Sequence, residues 1–406
     1  MSRRLPPVAV VMAIWLAVLV LAGCEVTGER QADTQPFAVG LLLPLSGEHA
    51  ALGHSMLDAA QVALTKHAEM QIEVLTRDTK GTPEGARQAA QAALDGGARL
   101  LIGPVFQGNV AAVVPLARRS SVEVVAFSND RDLSADGVFV FGLDPEQKIA
   151  RFAELAGERG LETVAMFAPD TAYSRFILDL LRKEESAGRF TVADAILYPS
   201  RTSFPAMAPL VAQLRLDWDA NNAPAVLMLP MDGHYLAAVA QMFRGESGSP
   251  QLVSLDLDEP VFNPIGDLDG IWYVFPAGDR ARQRLARRYI EMLGRRPGWM
   301  ELMAYDAVAV IAERAAEAGS PPSPVRMTET RAYAGVTGLF RFSPGGHVER
   351  ALAVKAVGRK QPSVVSPAPR ILAPQMAAPV FVAPRVKPDD WPASGEGKVR
   401  PVTGGS

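Results

Sequence analysis

The stretch Phe37 to Leu64, FAVGLLLPLSGEHAALGHSMLDAAQVAL, constrains the fold more than any other part of the chain. It opens with a continuous apolar run, Phe37 to Leu43, too short to span a membrane and right for a strand buried on both faces. Such a strand belongs in a parallel sheet covered by helices on each side. The run breaks at Pro44-Leu45-Ser46-Gly47, and Leu52, Met56, Ala59, Ala60 and Ala63 then return at helical spacing. In open α/β sheets, ligands bind at loops leaving the carboxyl ends of strands of this kind.

The unit then repeats. Gln71 to Arg77, Ala98 to Ile102, Val122 to Phe127 and Val138 to Leu143 read as strands, with helices from Pro83 to Leu94 and from Val110 to Arg118 between them. Thr82-Pro83-Glu84 has the cap, proline and acid of a helix start. A helix from Pro145 to about Arg159 begins a second series. Its strands are Thr163 to Ala168, Thr191 to Tyr198, Ala225 to Leu229 and Leu252 to Leu255. Ile271 to Phe275 is a further strand, and two helices follow, Ala281 to Leu293 and Glu301 to Ala318. Gly338 to Phe342 and Arg350 to Val357, joined by Pro344-Gly345-Gly346, read as a β-hairpin. From Lys360 on, nine prolines in 47 residues predict a disordered tail. Alternating β and α over 406 residues requires more than one core, so two doubly wound parallel-sheet lobes are expected.

The amino terminus carries its own signal. Arg3 and Arg4 precede an apolar run from Val8 to Leu21, the shape of an export signal, and Leu21-Ala22-Gly23-Cys24 resembles a bacterial lipobox. That resemblance implies cleavage before Cys24, the only cysteine, and lipid attachment to its sulfur. Glu25 follows, and the enteric sorting rule then implies anchoring in the outer membrane. The expected layout is a lipoprotein signal peptide over 1–23, a tether over 24–36, and lobe 1 over 37–143 and 271–335. Lobe 2 is expected over 144–270 and 336–358, and a Pro-rich disordered tail over 359–406.

The element order resembles the type I periplasmic-binding-protein fold, the family of the leucine/isoleucine/valine-binding proteins, with two lobes joined by a multi-crossover hinge. The likeness rests on GLLLPLSG, Gly103-Pro104, Asp170-Thr171-Ala172-Tyr173, Thr202-Ser203-Phe204 and Ala304-Tyr305-Asp306-Ala307 in that order. A narrower resemblance is to the penicillin-binding-protein activators (LpoA C-terminal-domain-like). It is carried by LLLPLSG, Ala126-Phe127-Ser128-Asn129-Asp130 and Gly335 to Phe342. The first resemblance implies a ligand between the lobes, with Ser46, Gly47, Phe106, Gln107, Ser128 and Asn129 on one side. On the other it implies Tyr173, with Asp256 or Asp258 to pair with an amino group. Ser46 and Ser128 suit turns and caps as well as ligand contacts. Bulky Phe106 and Gln107, where amino-acid binders carry Ser or Thr, point to a small or partly filled cleft.

Other functions find no support in the residues. A formal charge of −3 without basic bias argues against nucleic acid. No nucleophile-elbow, zincin, Walker or dinucleotide-binding motif is present, and the five histidines are scattered, so no cofactor or metal is implied. His49 and His54 read as exposed, and Trp272 and Tyr273 as core. The basic run Arg280 to Arg296, interrupted by Glu291, reads as a solvated helix face. The expected function is a non-catalytic periplasmic lipoprotein that activates a penicillin-binding protein, a peptidoglycan synthase, with a small polar ligand possible in the cleft. The membrane is contacted through the lipid alone. The alternative is the substrate-binding protein of a branched-chain amino acid ABC transporter.

Overall fold

The computed structural model describes residues 36–66, 72–218, 222–231, 233–244, 249–257, 268–318, 327–329, 332–359 and 361–372. The signal peptide, Cys24, the tether and the chain beyond 372 lie outside the described residues.

Strand β1 (Phe37–Leu43) is buried along its whole length and has parallel neighbours on both edges. These are β2 (Ile72–Asp78) and β3 (Leu100–Ile102), followed outward by β4 (Glu123–Ala126) and β5 (Val138–Val140). The order β2-β1-β3-β4-β5 is parallel throughout. Side-chain alternation splits it into two faces. Leu41, Leu43, Leu100, Ile102 and Val125 pack with helix α1 (Ala50–Lys66). Leu42, Leu101, Val124 and Ala126 pack with α2 (Pro83–Asp95) and α3 (Gln107–Arg119). The alanines of α2 permit close approach: a Cβ on Gly40 would lie 2.8 Å from that of Ala93. Thr82 caps α2 as its sequence predicts, accepting from the Gly85 N–H at 3.1 Å.

Helix α4 (Pro145–Arg159) starts the second lobe, capped by Asp144 and ended by Gly160 at φ 63°. The chain continues through β6 (Thr163–Pro169), α5 (Ala172–Ser186), β7 (Thr191–Tyr198), α6 (Phe204–Asp217) and β8 (Val226–Met228). Then come α7 (Gly233–Met242), β9 (Gln251–Ser254) and β10 (Trp272–Pro276). Helices α8 (Asp279–Leu293) and α9 (Trp299–Ala318) pack back on the first lobe, where the Tyr289 hydroxyl donates to Ser55 O and Arg295 pairs with Asp58. Strands β11 (Tyr333–Gly335), β12 (Gly338–Phe342) and β13 (Val348–Arg350) form a small antiparallel sheet. Strands β14 (Leu352–Ala356) and β15 (Ser363–Ser366) return to the second sheet, whose order is β15-β14-β10-β9-β8-β6-β7. The chain therefore passes between lobes three times, at Val140–Pro145, Pro276–Asp279 and Arg350–Leu352.

Four expectations need correction. The apolar run at 271–275 was assigned to lobe 1, yet β10 pairs with β9 and β14 in the second sheet. Residues 338–350, assigned to lobe 2, stack on the first lobe: Phe342 lies 5.3 Å from Phe139 and Phe340 5.1 Å from Phe141, ring to ring. The strand that follows β12 across the Pro344-Gly345-Gly346 turn is β13, which ends at Arg350, and Ala351 carries the chain across to β14. A buried strand reads the same whichever sheet it joins, so pattern alone could not place these segments. Finally, the tail expected from 359 begins with ordered β15, which pairs antiparallel with β14 despite its flanking prolines.

Arginines on α4 hold that strand. Buried Arg151 donates to Leu352 O, Ser366 Oγ and Pro367 O, and Arg159 donates to Val365 O. Stopping the chain at Arg359 should therefore cost roughly 2–3 kcal/mol, because Arg151 loses partners while it stays buried. A chain stopped after Leu372 should match the full chain in urea unfolding. Equal stability of both truncations would show that β15 does not contribute.

Candidate functional site

A cleft of about 850 Å³ opens where the carboxyl ends of the two sheets face each other. The first lobe contributes the loops after β3 and β4. Phe106 is the N-cap of α3 and makes no side-chain cap bond, and Gln107 is the first helical residue. Sequence reading started this helix at Val110. The earlier start puts the Gln107 amide at the helix end, where it donates to the Asp130 carboxylate. Ser128 Oγ accepts from the Asp130 N–H at 3.1 Å, and Asn129 lies between them in the wall. Helix α9 adds Trp299, Met300 and Met303.

The second lobe supplies the polar pair. Thr171 caps α5, accepting from the Ser174 N–H at 3.1 Å, and this sets Tyr173 in the first helical turn at the rim. The Tyr173 hydroxyl donates to Asp256 Oδ1 at 2.5 Å, joining two residues 83 positions apart. Buried Lys148 also lines the cleft and donates from Nζ to Leu255 O. Tyr198 forms part of the floor, and burial, with a smaller contribution from Tyr235, pushes its hydroxyl up to about 12. The lining thus offers carboxylates (Asp130, Asp256), one ammonium (Lys148), and aromatic and thioether surface. An amine or hydroxyl can bond to Asp256 and Tyr173 while an apolar body rests on Trp299, Met300 and Phe127.

Of the residues named from sequence, Phe106, Gln107, Ser128, Asn129, Tyr173 and Asp256 line the cleft. Ser46 and Gly47 are not among its lining residues. Ser46 is held instead by Asp78: Oγ donates to Oδ2 at 2.6 Å and its N–H to Oδ1 at 3.2 Å. Burial works to raise the Asp78 carboxyl. Hydrogen bonds from the Ser46 hydroxyl and the Lys80, Leu45 and Ser46 N–H groups outweigh it and hold the carboxyl below its ordinary range. The β1–β2 register, Leu43 opposite Asp78, brings that carboxylate to the turn. Asp258 and Cys24 lie outside the described residues. The small cleft expected from Phe106 and Gln107 is also corrected. Phe106 lines the cleft with its ring centroid 4.5 Å from that of His49, and the cleft has a volume of about 850 Å³.

Sequence reading passed over Lys148, Asp130, Tyr198 and the α9 residues. Lys148 did carry a signal, since a cation near the start of a helix opposes the dipole and needs a compensating partner. Among the described residues no group of three or more His, Cys, Asp or Glu side chains could hold a metal, and no helix is long and apolar enough to cross a membrane.

The family model described as "Periplasmic binding protein" matches residues 36–361. The chain belongs to that family. The match spans both lobes and reaches the loop before β15, and it puts the protein's work outside the cytoplasm. Among solved structures, this periplasmic binding protein is similar to a branched-chain amino acid ABC transporter periplasmic ligand-binding protein from Burkholderia xenovorans. The TM-score is 0.69 at 16% identity, covering 81% of this chain and 94% of that one. It is also similar to an ABC-transporter solute-binding protein from Rhodopseudomonas palustris in complex with 3,4-dihydroxybenzoic acid. That TM-score is 0.62 at 17% identity, covering 82% and 96%. An uncharacterised protein of Rickettsia prowazekii is 22% identical over 177 residues, 41% of this chain and 46% of the relative. The chain thus matches about half the length of that curated relative.

Lys148 and Tyr173 should respond differently to substitution. Lys148→Met leaves Leu255 O without its buried donor and should cost about 1–3 kcal/mol. Half-buried Tyr173→Phe should cost about 1 kcal/mol or less. Urea unfolding of both variants checks this, and a larger loss at Tyr173 would make it a core residue instead.

Proposed function

We propose that the protein is an extracytoplasmic solute receptor whose lobes close over a small molecule bearing an amino group and an apolar body, an amino acid in the first instance. The observation that carries this reading is the Tyr173–Asp256 pair, set across an open cleft from the α3 start and the Trp299–Met303 surface. Asp256 supplies a negative charge for an ammonium group, and the Tyr173 hydroxyl fixes its orientation. Three chain crossings between the lobes suit a hinge that opens and closes as one. The B. xenovorans and R. palustris proteins support the reading, since they are named for branched-chain amino acid transport and for bound dihydroxybenzoic acid. This reading is preferred to the penicillin-binding-protein activator, whose partnership with a peptidoglycan synthase rests on the sequence resemblance.

Trp299 in the cleft wall provides the assay. Leucine, isoleucine, valine, phenylalanine and 3,4-dihydroxybenzoate should be titrated by tryptophan fluorescence and calorimetry. An amino acid should bind at micromolar strength or tighter, about −8 kcal/mol. Asp256→Asn should weaken it tenfold or more, and dihydroxybenzoate far less. Failure of every amino acid at millimolar concentration, alongside retention of a peptidoglycan synthase in pull-downs, would restore the activator reading.

We further propose that Cys24 carries lipid. The acyl chains contribute about 0.8 kcal/mol per buried CH₂, enough to hold the protein at a membrane. Cys24→Ser should move the protein from the membrane pellet to the soluble fraction. A variant that still pellets would point to a different membrane contact.

A further inference from the structure

A second cavity, about 280 Å³, lies between α1, α8, α9 and β11 and shares no lining residue with the cleft. Its lining includes Lys66 from the end of α1 and Arg284 and Arg288 from α8. Neither Lys66 nor Arg284 has a hydrogen-bond or ion-pair partner among the described residues. Arg288 donates to Thr65 Oγ1 at 3.1 Å. The wall holds Tyr305, only 7% exposed, whose hydroxyl has no hydrogen-bond partner among the described residues. Arg288 and Glu313 line the same cavity as Tyr305. Burial, with Asp306 and Glu313 and against Arg288, raises this hydroxyl above its ordinary value, so it stays a donor at neutral pH. Asp306 also borders the cavity, but its oxygens accept from Val336 and Thr337, which leaves Glu313 as the opposing rim charge.

We propose that this cavity is a second ligand site that binds a phosphate group through the Tyr305 hydroxyl and the Arg284, Arg288 and Lys66 side chains. A phosphate offers oxygens to a hydroxyl, guanidinium forks and an ammonium at once, whereas a carboxylate has two. The apolar wall, Leu285 and Val310 among it, suits a carbon skeleton attached to the phosphate. Lys66 lies at the sheet end where Ile72 pairs with Phe37, the point at which the N-terminal segment joins the fold. A protein tethered through Cys24 would have lipid headgroups near that end, so the phosphate has two possible sources, a lipid or a free ester.

The Cys24→Ser protein serves for the test, with glycerol 3-phosphate in calorimetry and phosphatidylglycerol against phosphatidylcholine vesicles in co-sedimentation. Binding of glycerol 3-phosphate assigns a free ester, and sedimentation with phosphatidylglycerol vesicles alone assigns a headgroup. Either supports the site if the double variant Arg284→Gln, Arg288→Gln weakens it at least tenfold and Tyr305→Phe severalfold. The Tyr305 variant keeps all charges and the buried ring, so its loss separates a built site from general attraction to an anionic surface. The arginines are exposed, which keeps their variants foldable. Binding of neither probe, binding that survives the arginine pair, or equal competition by acetate would overturn the proposal.

Discussion

The architecture depends on one buried carboxylate. Asp306, on α9, accepts from the Val336 N–H at 2.9 Å and from the Thr337 N–H and hydroxyl at 2.6 and 2.5 Å. Thr337 in turn accepts from Arg350 at 3.1 Å, and Arg350 donates to Phe141 O while its guanidinium stacks 4.5 Å from the Phe141 ring. Burial pushes the Asp306 carboxyl up, and hydrogen bonds from Thr337 and Val336 oppose that. Burial likewise pulls Arg350 down, to about 10, and the nearby Asp306 charge opposes that. Nearby, Arg282 donates to Pro276 O and Val336 O. One polar knot thus binds α8, α9, the small sheet and all three crossings between lobes, through Phe141, Pro276 and Arg350. Gly335 is needed there, since a Cβ would come within 2.3 Å of Asp306.

The same knot reaches the cleft. The Arg350 guanidinium lies 5.9 Å from the ring of Trp299, which lines the cleft, and Trp299 packs edge-on against Phe275 of β10. Trp299 in the cleft wall is therefore one residue from the crossing segments between the lobes. The polar arms of the cleft come instead from helix starts and strand ends, where a side chain can project without disturbing sheet packing. Tyr173 follows the Thr171 cap, Gln107 opens α3, and Asp256 follows β9.

Much of this was legible in the chain. The period-two and period-3.6 patterns located most elements of both lobes, with α4 and β7 matched end to end. Capping residues such as Thr82 fixed helix starts because the chemistry of a cap is local. The site was legible in part. Tyr173, Asp256, Gln107 and Ser128 stand at element ends, where an α/β sheet presents ligand-facing side chains. Ser46 stands at such an end too, but a carboxylate from the neighbouring strand captured it, and a 32-residue separation hides that from any local pattern.

Sequence by itself therefore determined the class of the fold, the two series of βα units and the loops available to a ligand. Those follow from short-range periodicity and from the backbone's need for partners. Tertiary structure alone decided which sheet each late strand joins: the apolar patterns of β10 and β14 suit either sheet, and β15 lies in a Pro-rich stretch that reads as tail. It assigned Tyr305 to a cavity wall and Asp306 to the crossings, although the two are adjacent in one motif. On a helix, neighbouring residues point about 100° apart, and only packing decides what each one meets.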